Sequence, residues 1–486
     1  MDHFIGIDIG TTHCKAILAD QDGRVIASAK RSYPTDHPAP GYHVQDGDII
    51  FDAVVAVLKE VLGSSTSEDL RAICFSAAMH SVLAVGSTGA PLTAAITWAD
   101  MRSDAYAARL RDTEPGRRIY TATGTPVHAM SPLCKIAWMR DEWPSVFAAA
   151  AKFVSIKEYV AFRLTGEWVV DYSIASATGL FNVHRCDWEP EALAFAGIDA
   201  GRLSTPVLPT YQYKKFHDNL VVDLGLKENV RLVTGGSDGC LANIGSGAIG
   251  DAHPAMTIGT SGAMRCLVRN GQADKSGRLF HYRFDDEFFL SGGAINNGGI
   301  LMQWFINTFC DPGADFKQSL DQLFIAASSI APGSEGLVFL PYVNGERAPV
   351  WDASATGVFA GIRSIHNRAH FFRAVLEGVG FALRQVMEAM EGGGRAISMI
   401  RCGGGFIESG LWVQIIADIL QKPLQISRQA DQSALGAVFV AMRAVDRIAN
   451  YGEAAELVAG EGMVNPDISL SEVYTHNYSI YKTLYK

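Results

Sequence analysis

The stretch Phe4-Ile5-Gly6-Ile7-Asp8-Ile9-Gly10-Thr11-Thr12-His13-Cys14-Lys15 constrains the fold more than any other. An apolar run ends beside an acidic residue, turns on Gly-Thr-Thr and resumes as Ala16-Ile17-Leu18 before a second turn at Asp20-Gln21-Asp22-Gly23. This pattern predicts two antiparallel strands joined by a tight turn. Gly10 lets the backbone approach a ligand closely, and the neighbouring N–H and hydroxyl groups can surround a phosphate. Asp8 stands at the rim, where a carboxylate suits a hydrated Mg²⁺. Taken alone, an Asp-x-Gly turn is equally well a plain hairpin. The wording returns, however, as Met256-Thr257-Ile258-Gly259-Thr260-Ser261-Gly262-Ala263-Met264-Arg265-Cys266-Leu267, without the Asp. Two copies of one hairpin about 250 residues apart indicate an internal duplication with a phosphate loop in each half.

A chain of 486 residues is too long for one hydrophobic core, so two or three domains are expected. No uncharged apolar run is long enough for a membrane span, and a strand beginning within four residues leaves no room for a signal peptide. The net charge of −10 argues against nucleic acid as a partner. Eight cysteines lie far apart with no Cys-x-x-Cys pair, which disfavours a zinc site or disulfide framework and fits reduced thiols in a cytoplasm.

Along the chain, Arg24–Ser32 reads as a third strand and Asp48–Leu62 as an amphipathic helix with an Asp at its head. Two short strands, Arg71–Ala77 and Ala95–Trp98, end at Met79-His80-Ser81 and Asp100-Met101-Arg102, as parallel strands do where they run into a cleft. Asp100 is equally placed to cap a helix running to Arg111. Ser131–Glu142 and Lys152–Leu164 read as helices, and Pro206–Val230 as a transition between domains. At Arg231-Leu232-Val233-Thr234-Gly235-Gly236-Ser237-Asp238-Gly239 a strand runs into a glycine turn that opens a helix. There Asp238 is either an N-cap or a carboxylate facing a substrate. Further on, Gly292–Gly299 precedes a helix to Phe309, and Ala369–Met390 is a long helix. A strand then ends at Cys402-Gly403-Gly404-Gly405, whose N–H groups open another helix and suit a nucleotide. P-loop, dinucleotide-fold and nucleophile-elbow motifs are all lacking.

Two further stretches carry a family resemblance: Met130-Ser131-Pro132-Leu133-Cys134-Lys135-Ile136-Ala137-Trp138-Met139-Arg140-Asp141-Glu142, and Gly357–Ile362 continuing through His370–Glu377. Together with the hairpins, they make the chain resemble the FGGY carbohydrate kinases over nearly its whole length. The resemblance implies an α/β protein of two RNase-H-like domains, of the actin, Hsp70 and hexokinase type, spanning 1–245 and 246–486. An interdomain cleft would close on ATP and a sugar. By position, Asp8, Gly10, Thr11, Thr12 and Lys15 would form the first phosphate loop. Gly259, Thr260 and Ser261 would form the second, and Gly403, Gly404 and Gly405 the adenosine site. Asp238 falls at the catalytic base, with Asp8 and Asp238 about Mg²⁺. His80, Trp98, Asp100 and Arg102 fall where the family lines its sugar pocket.

Within the family the wording around Ser81, His128, Asp238 and Asn296-Asn297 looks most like gluconokinases, implying D-gluconate as substrate and 6-phosphogluconate as product. His80, His128, Asn296 and Asn297 would meet hydroxyls; Arg102, Lys135 and Arg265 are candidate partners for the carboxylate. A xylulokinase or another ketose or polyol kinase is the alternative, and a non-catalytic sugar-binding regulator a remote one. The family is also compatible with a homodimer.

Overall fold

The computed structural model describes residues 2–64, 69–269, 271, 273–311, 313, 315–427, 431–458, 460 and 462–485. The chain divides into two compact units. One comprises Met1–Ile249, Leu267–Ser291 and Ala430–Val458, and the other Gly250–Cys266, Gly292–Gln429 and Ala459–Lys486.

The first unit is built on strands β1 (His3–Ile9), β2 (His13–Asp20), β3 (Val25–Ser32), β4 (Leu70–Ala77) and β5 (Arg231–Ser237), in the order β5-β4-β1-β2-β3. β1 pairs antiparallel with β2 and parallel with β4, and β4 pairs parallel with β5. Both faces of β1 are covered, which is why its sequence is a near-continuous apolar run rather than an alternating one. Ile5, Ile7 and Ile9 join a core with Val54, Leu58, Phe75 and Tyr159, which brings the helices Gly47–Leu62 and Ile156–Thr165 onto that face. The alternate residues Phe4, Gly6 and Asp8 point to the opposite face. There the helix Gln432–Ala444 approaches so closely that a Cβ on Gly6 would lie 2.0 Å from the Ala434 carbonyl oxygen.

A second sheet repeats the plan. Strands β6 (Ala255–Ile258), β7 (Gly262–Arg269), β8 (Phe288–Ile295), β9 (Ile400–Gly403), β10 (Leu424–Ile426) and β11 (Gly462–Val464) lie in the order β8-β7-β6-β9-β10-β11, with the further strand Phe280–Arg283 at the edge beside β8. β6 pairs antiparallel with β7 and parallel with β9, as β1 does with β2 and β4. The duplication expected from the two hairpins is thus a duplication of sheet topology. The helix Arg368–Glu391 packs on Gly410–Leu420, with Gly380 set against Ile416 and Ile419. Among the described residues no helix is long and apolar enough to cross a membrane.

Several local expectations are corrected. The Gly47–Leu62 helix is capped by Asp46, two residues ahead of Asp48. The segment expected as one helix from Lys152 to Leu164 is a strand, Lys152–Val154, followed by the helix Ile156–Thr165. Phe153 and Val154 favour the strand, and Ser155 with Glu158 forms a capping box that fixes the helix start. Ala95–Ile96 is not a parallel strand but pairs antiparallel with Val44–Gln45. Asp100 is not a cap: the next helix begins at Asp104, because the Asp100 carboxylate accepts from the His43 N–H and from Arg102. Nor is Asp238 the N-cap of its helix; Ser237 is, accepting from the Cys240 N–H.

The helices Asp238–Gly245 and Gln432–Ala444 cross at paired glycines. A Cβ on Gly436 would lie 1.9 Å from the Leu241 carbonyl oxygen, and one on Gly245 would lie 1.9 Å from that of Gln432. Backbone cannot yield there as a flexible side chain would. Gly436→Ala is therefore expected to destabilise the protein by about 1–3 kcal/mol, the usual range for overpacking, read as a lower urea midpoint. Gly462→Ala, where an added Cβ meets nothing within 4 Å, should leave the midpoint nearly unchanged. Equal midpoints for the two variants would show that the crossing tolerates a methyl group.

Candidate active site

Asp8 and Lys15 are directly opposite in the β1–β2 register, so both project on the face that receives the Gln432–Ala444 helix. Lys15 Nζ forms an ion pair with Asp431, the residue just before that helix. Asp431 has a left-handed backbone (φ 64°) and makes no side-chain cap, leaving its carboxylate turned to the lysine. Ser76 Oγ, on β4, donates to Asp8 Oδ1 at 2.7 Å. Asp8 keeps some solvent-accessible surface, yet protein atoms hem in its carboxylate. That desolvation, followed by the nearby Asp238 carboxylate, pushes Asp8 up to about 7, against the Ser76 hydrogen bond and the Lys15 charge.

A carboxylate held that high by desolvation and a second carboxylate is stabilised by a divalent cation, whose charge reverses the local balance. Asp8 and Asp238 thus fit a hydrated Mg²⁺, which takes one or two carboxylates and completes its shell with water and phosphate oxygens. Among the described residues there is no cluster of three or more His, Cys, Asp or Glu side chains arranged to hold a metal.

The loop that follows is tied down from three sides. The Gly10 N–H donates to the His13 carbonyl at 3.1 Å, and Tyr33 OH donates to the Gly10 carbonyl. Gln45 Nε2 donates to the Thr11 carbonyl, and Trp98 Nε1 donates to Thr11 Oγ1 at 3.0 Å. Thr12 stays exposed at the tip.

Asp238 stands at the end of β5, where the register shifts between Val233 and Gly236. Gly235 adopts φ 72°, and a Cβ there would lie 1.7 Å from the Phe75 carbonyl oxygen, so only glycine fits. The shift delivers Ser237 to cap the helix, which leaves the Asp238 carboxylate in the first turn with partial access to solvent. The Gly239 N–H donates to Asp238 Oδ1 at 2.7 Å.

In the second unit the Gly259-Thr260-Ser261 turn is closed by the Gly259 N–H donating to the Ser261 carbonyl at 2.9 Å. The Gly299 and Ile300 N–H groups donate to the Gly259 and Thr260 carbonyls at 2.6 and 3.0 Å, docking the next helix on the turn. Gly259 and Gly405 both border a cavity of about 920 Å³. Ile258, Met302, Phe324 and Trp412 give it apolar walls, and Gln303, Asp321, Glu408 and Ser409 give it polar positions. Gly403 ends β9, and Gly404 (φ 96°) packs where a Cβ would lie 2.6 Å from the Ile258 carbonyl oxygen. Of the three glycines only Gly405 borders the cavity.

The remaining predicted residues form two groups. In the first unit, Asp100 is fully buried and holds Arg102 through paired bonds of 2.8 Å, while the guanidinium stacks over Tyr42, 3.9 Å from the ring centroid. His80 adopts φ 67° and donates from Nδ1 to the Ala177 carbonyl at 2.7 Å. Buried Lys135 donates to the carbonyls of His80 and Thr97, each at 2.7 Å, joining the two loops. Desolvation lowers Lys135 to about 7 despite nearby Asp100. His128 Nδ1 accepts from the Met130 N–H at 3.1 Å. In the second unit, Asn297 Nδ2 donates to the Gly345 carbonyl, and Asn296 Oδ1 accepts from Arg347 Nε. Buried Glu346, pushed up to about 7 by desolvation, accepts from the Asn296 and Arg347 N–H groups. Arg265 pairs across β6–β7 with Ala255.

Sequence reasoning missed Ser76, Asp431 and most of the cavity wall. Asp431 carried one signal, an acidic residue just before a helix, but that pattern predicts a cap rather than a lysine partner.

Residues 3–245 match the family model described as "FGGY family of carbohydrate kinases, N-terminal domain", and residues 255–445 match the C-terminal domain of the same family. A gluconokinase from Bacillus subtilis (strain 168) is 37% identical over 465 residues, covering 94% of this chain and 90% of that protein. The crystal structure of gluconate kinase from Lactobacillus acidophilus superposes with a TM-score of 0.94 at 32% identity, covering 99% of this chain and 97% of that one. That of ligand-bound xylulose kinase from Lactobacillus acidophilus gives the same TM-score and identity, covering 100% of this chain and 98% of that one. With both family domains matched in order on a duplicated α/β scaffold, the chain belongs to the FGGY family of carbohydrate kinases.

Proposed function

We propose that this carbohydrate kinase is a gluconokinase, transferring the γ-phosphoryl group of ATP to the 6-hydroxyl of D-gluconate. The observation that carries the substrate is the 37% identity to a gluconokinase along 94% of the chain. The residues quoted around Ser81, His128, Asp238 and Asn296 point the same way. A reducing cytoplasm is the proposed setting, supported by eight cysteines of which none forms a disulfide.

Phosphoryl transfer asks for alignment and charge neutralisation more than for covalent help. The attacking oxygen forms a bond to the γ-phosphorus as the bond to the ADP oxygen breaks, and the hydroxyl proton passes to a carboxylate oxygen of Asp238. Asp8 and Asp238 would hold Mg²⁺, which supplies positive charge against the phosphates. In the first unit, Lys15 and the N–H groups around Gly10–Thr12 would bind phosphate oxygens. In the second unit, the turn at Gly259–Ser261 offers further N–H groups. The cavity beside it has apolar walls suited to a purine and carboxylates suited to ribose hydroxyls. His80, His128, Trp98, Asp100 and Arg102 are proposed to shape the sugar site in the first unit. Asp100 does so indirectly, by fixing Arg102.

Xylulokinase is the second reading, because the xylulose kinase structure superposes as well as the gluconate kinase one.

Two measurements separate these claims. Asp238→Asn keeps shape but removes the proton acceptor, so kcat should fall about 10²- to 10⁴-fold, the usual contribution of a positioned base, with KM for ATP and gluconate little changed. Near-normal turnover would leave Asp238 a helix-start residue without a catalytic role. The second is kcat/KM for gluconate, xylulose, ribulose and glycerol under one set of conditions. A site built to pair a carboxylate is expected to favour gluconate at least about tenfold, equivalent to 1.4 kcal/mol. A preference for xylulose would leave the kinase in place and remove the gluconate assignment.

A further inference from the structure

A chain of buried polar groups ends on the peptide that carries the proposed base. Lys157 Nζ donates to Asp171 Oδ2 at 2.6 Å, and this ion pair is almost completely buried, with side-chain exposures of 3% and 0%. Asp171 Oδ1 accepts from the N–H and hydroxyl of Ser173 and from the Ile174 N–H at 3.1 Å. Ser173 is fully buried, and with its proton given to Asp171 its oxygen accepts from the Ser237 N–H at 2.8 Å. Ser237 in turn caps the helix whose first residue is Asp238.

The sequence around this contact is shaped to permit it. A Cβ on Gly236 would lie 3.2 Å from Ser173 Oγ and 3.1 Å from the Phe284 ring, tighter than ordinary contact. The β5 register shift at Gly236 sets the peptide that Ser173 receives, and Gly236 pairs with Ser76, the residue that donates to Asp8.

A buried ion pair is a weak source of stability, because desolvation offsets much of its attraction. What a fully satisfied buried network gives is a single geometry. Asp171 also caps the helix Tyr172–Ala177, and one bond of the network, from the Ser237 N–H to Ser173 Oγ, reaches the backbone immediately before Asp238, while the carboxylate itself is left partly accessible.

We propose that Lys157, Asp171 and Ser173 are positioning residues for phosphoryl transfer, a buried relay that sets the direction of the Asp238 carboxylate through the Ser237 peptide. The proposal rests on the reading of Asp238 as the base. Ser173 is the link at which the relay can be cut without stranding a buried charge, since Asp171 keeps Lys157 and two N–H donors.

The test is a double-mutant cycle between Ser173→Ala and Asp238→Asn, with kcat and both KM values measured alongside the melting temperature. Small misplacements of a reacting group cost up to about 10²-fold. Ser173→Ala should therefore lower kcat about 10- to 100-fold, with KM for ATP and for gluconate within about twofold and a melting temperature above that of the assay. In the Asp238→Asn background the same change should cost less than about twofold, because the group it positions is already gone. An unchanged kcat in Ser173→Ala, with Asp238→Asn inactive, overturns the relay and leaves the base. An equal loss in both backgrounds also overturns it, since a merely structural role would add. Near-normal turnover in Asp238→Asn itself overturns the base, and the relay with it. If the alanine protein melts below the assay temperature, Ser173→Cys, which keeps the volume and weakens both hydrogen bonds, enters the same cycle under the same criteria.

Discussion

Burial of Asp8 beside a second carboxylate is the constraint on which the rest of the site depends. Two like charges in a desolvated corner oppose each other, and burial together with Asp238 holds Asp8 at about 7. The folded chain therefore retains a proton that the unfolded chain loses from its ordinary value of 3.8 upward. That position costs stability progressively as pH rises from about 4 to 7. Several neighbours moderate the cost: Ser76 donates to Asp8, and Lys15 stands opposite it. Lys15 is itself held by Asp431. A divalent cation would remove the remainder, and in a kinase it arrives with the nucleotide.

Close backbone approach is the second constraint, and it explains where several glycines sit. Gly6 admits the Gln432–Ala444 helix to the face that bears Asp8. Gly245 and Gly436 admit that helix to the one that starts at Asp238, and Gly235 fits against the Phe75 carbonyl where the β5 register shifts ahead of the cap Ser237. The helix that supplies Asp431 is thereby registered against both carboxylates.

The parts of the protein legible in its sequence are those with strong local signals. The Gly10 and Gly259 hairpins stand out because apolar runs interrupted by Gly-Thr turns have few other readings, and the topology shared by the two sheets agrees with the echo between them. Asp238 was visible as a carboxylate at a strand–helix junction, but whether it capped the helix was not. That depended on Ser237, whose own orientation depends on a residue 64 positions away. Whether Asp100 capped a helix was open for a related reason: its partner is the His43 N–H, 57 positions earlier. The Lys152–Val154 strand was hidden because its sheet partner is the short strand Leu83–Val85. Long-range partners of polar side chains are what periodicity and capping rules do not encode. Asp431, Ser76 and Ser173 all belong to that class.

The most direct test of the account is to identify what the enzyme makes. With gluconate, ATP and Mg²⁺ supplied, phosphorus NMR of the reaction should show one phosphomonoester coupled to the protons of the sugar acid's terminal methylene. It should form in step with ADP and be absent when the cation is chelated. Release of inorganic phosphate in place of that ester, or a phosphorylated sugar acid formed at full rate without any divalent cation, would contradict it.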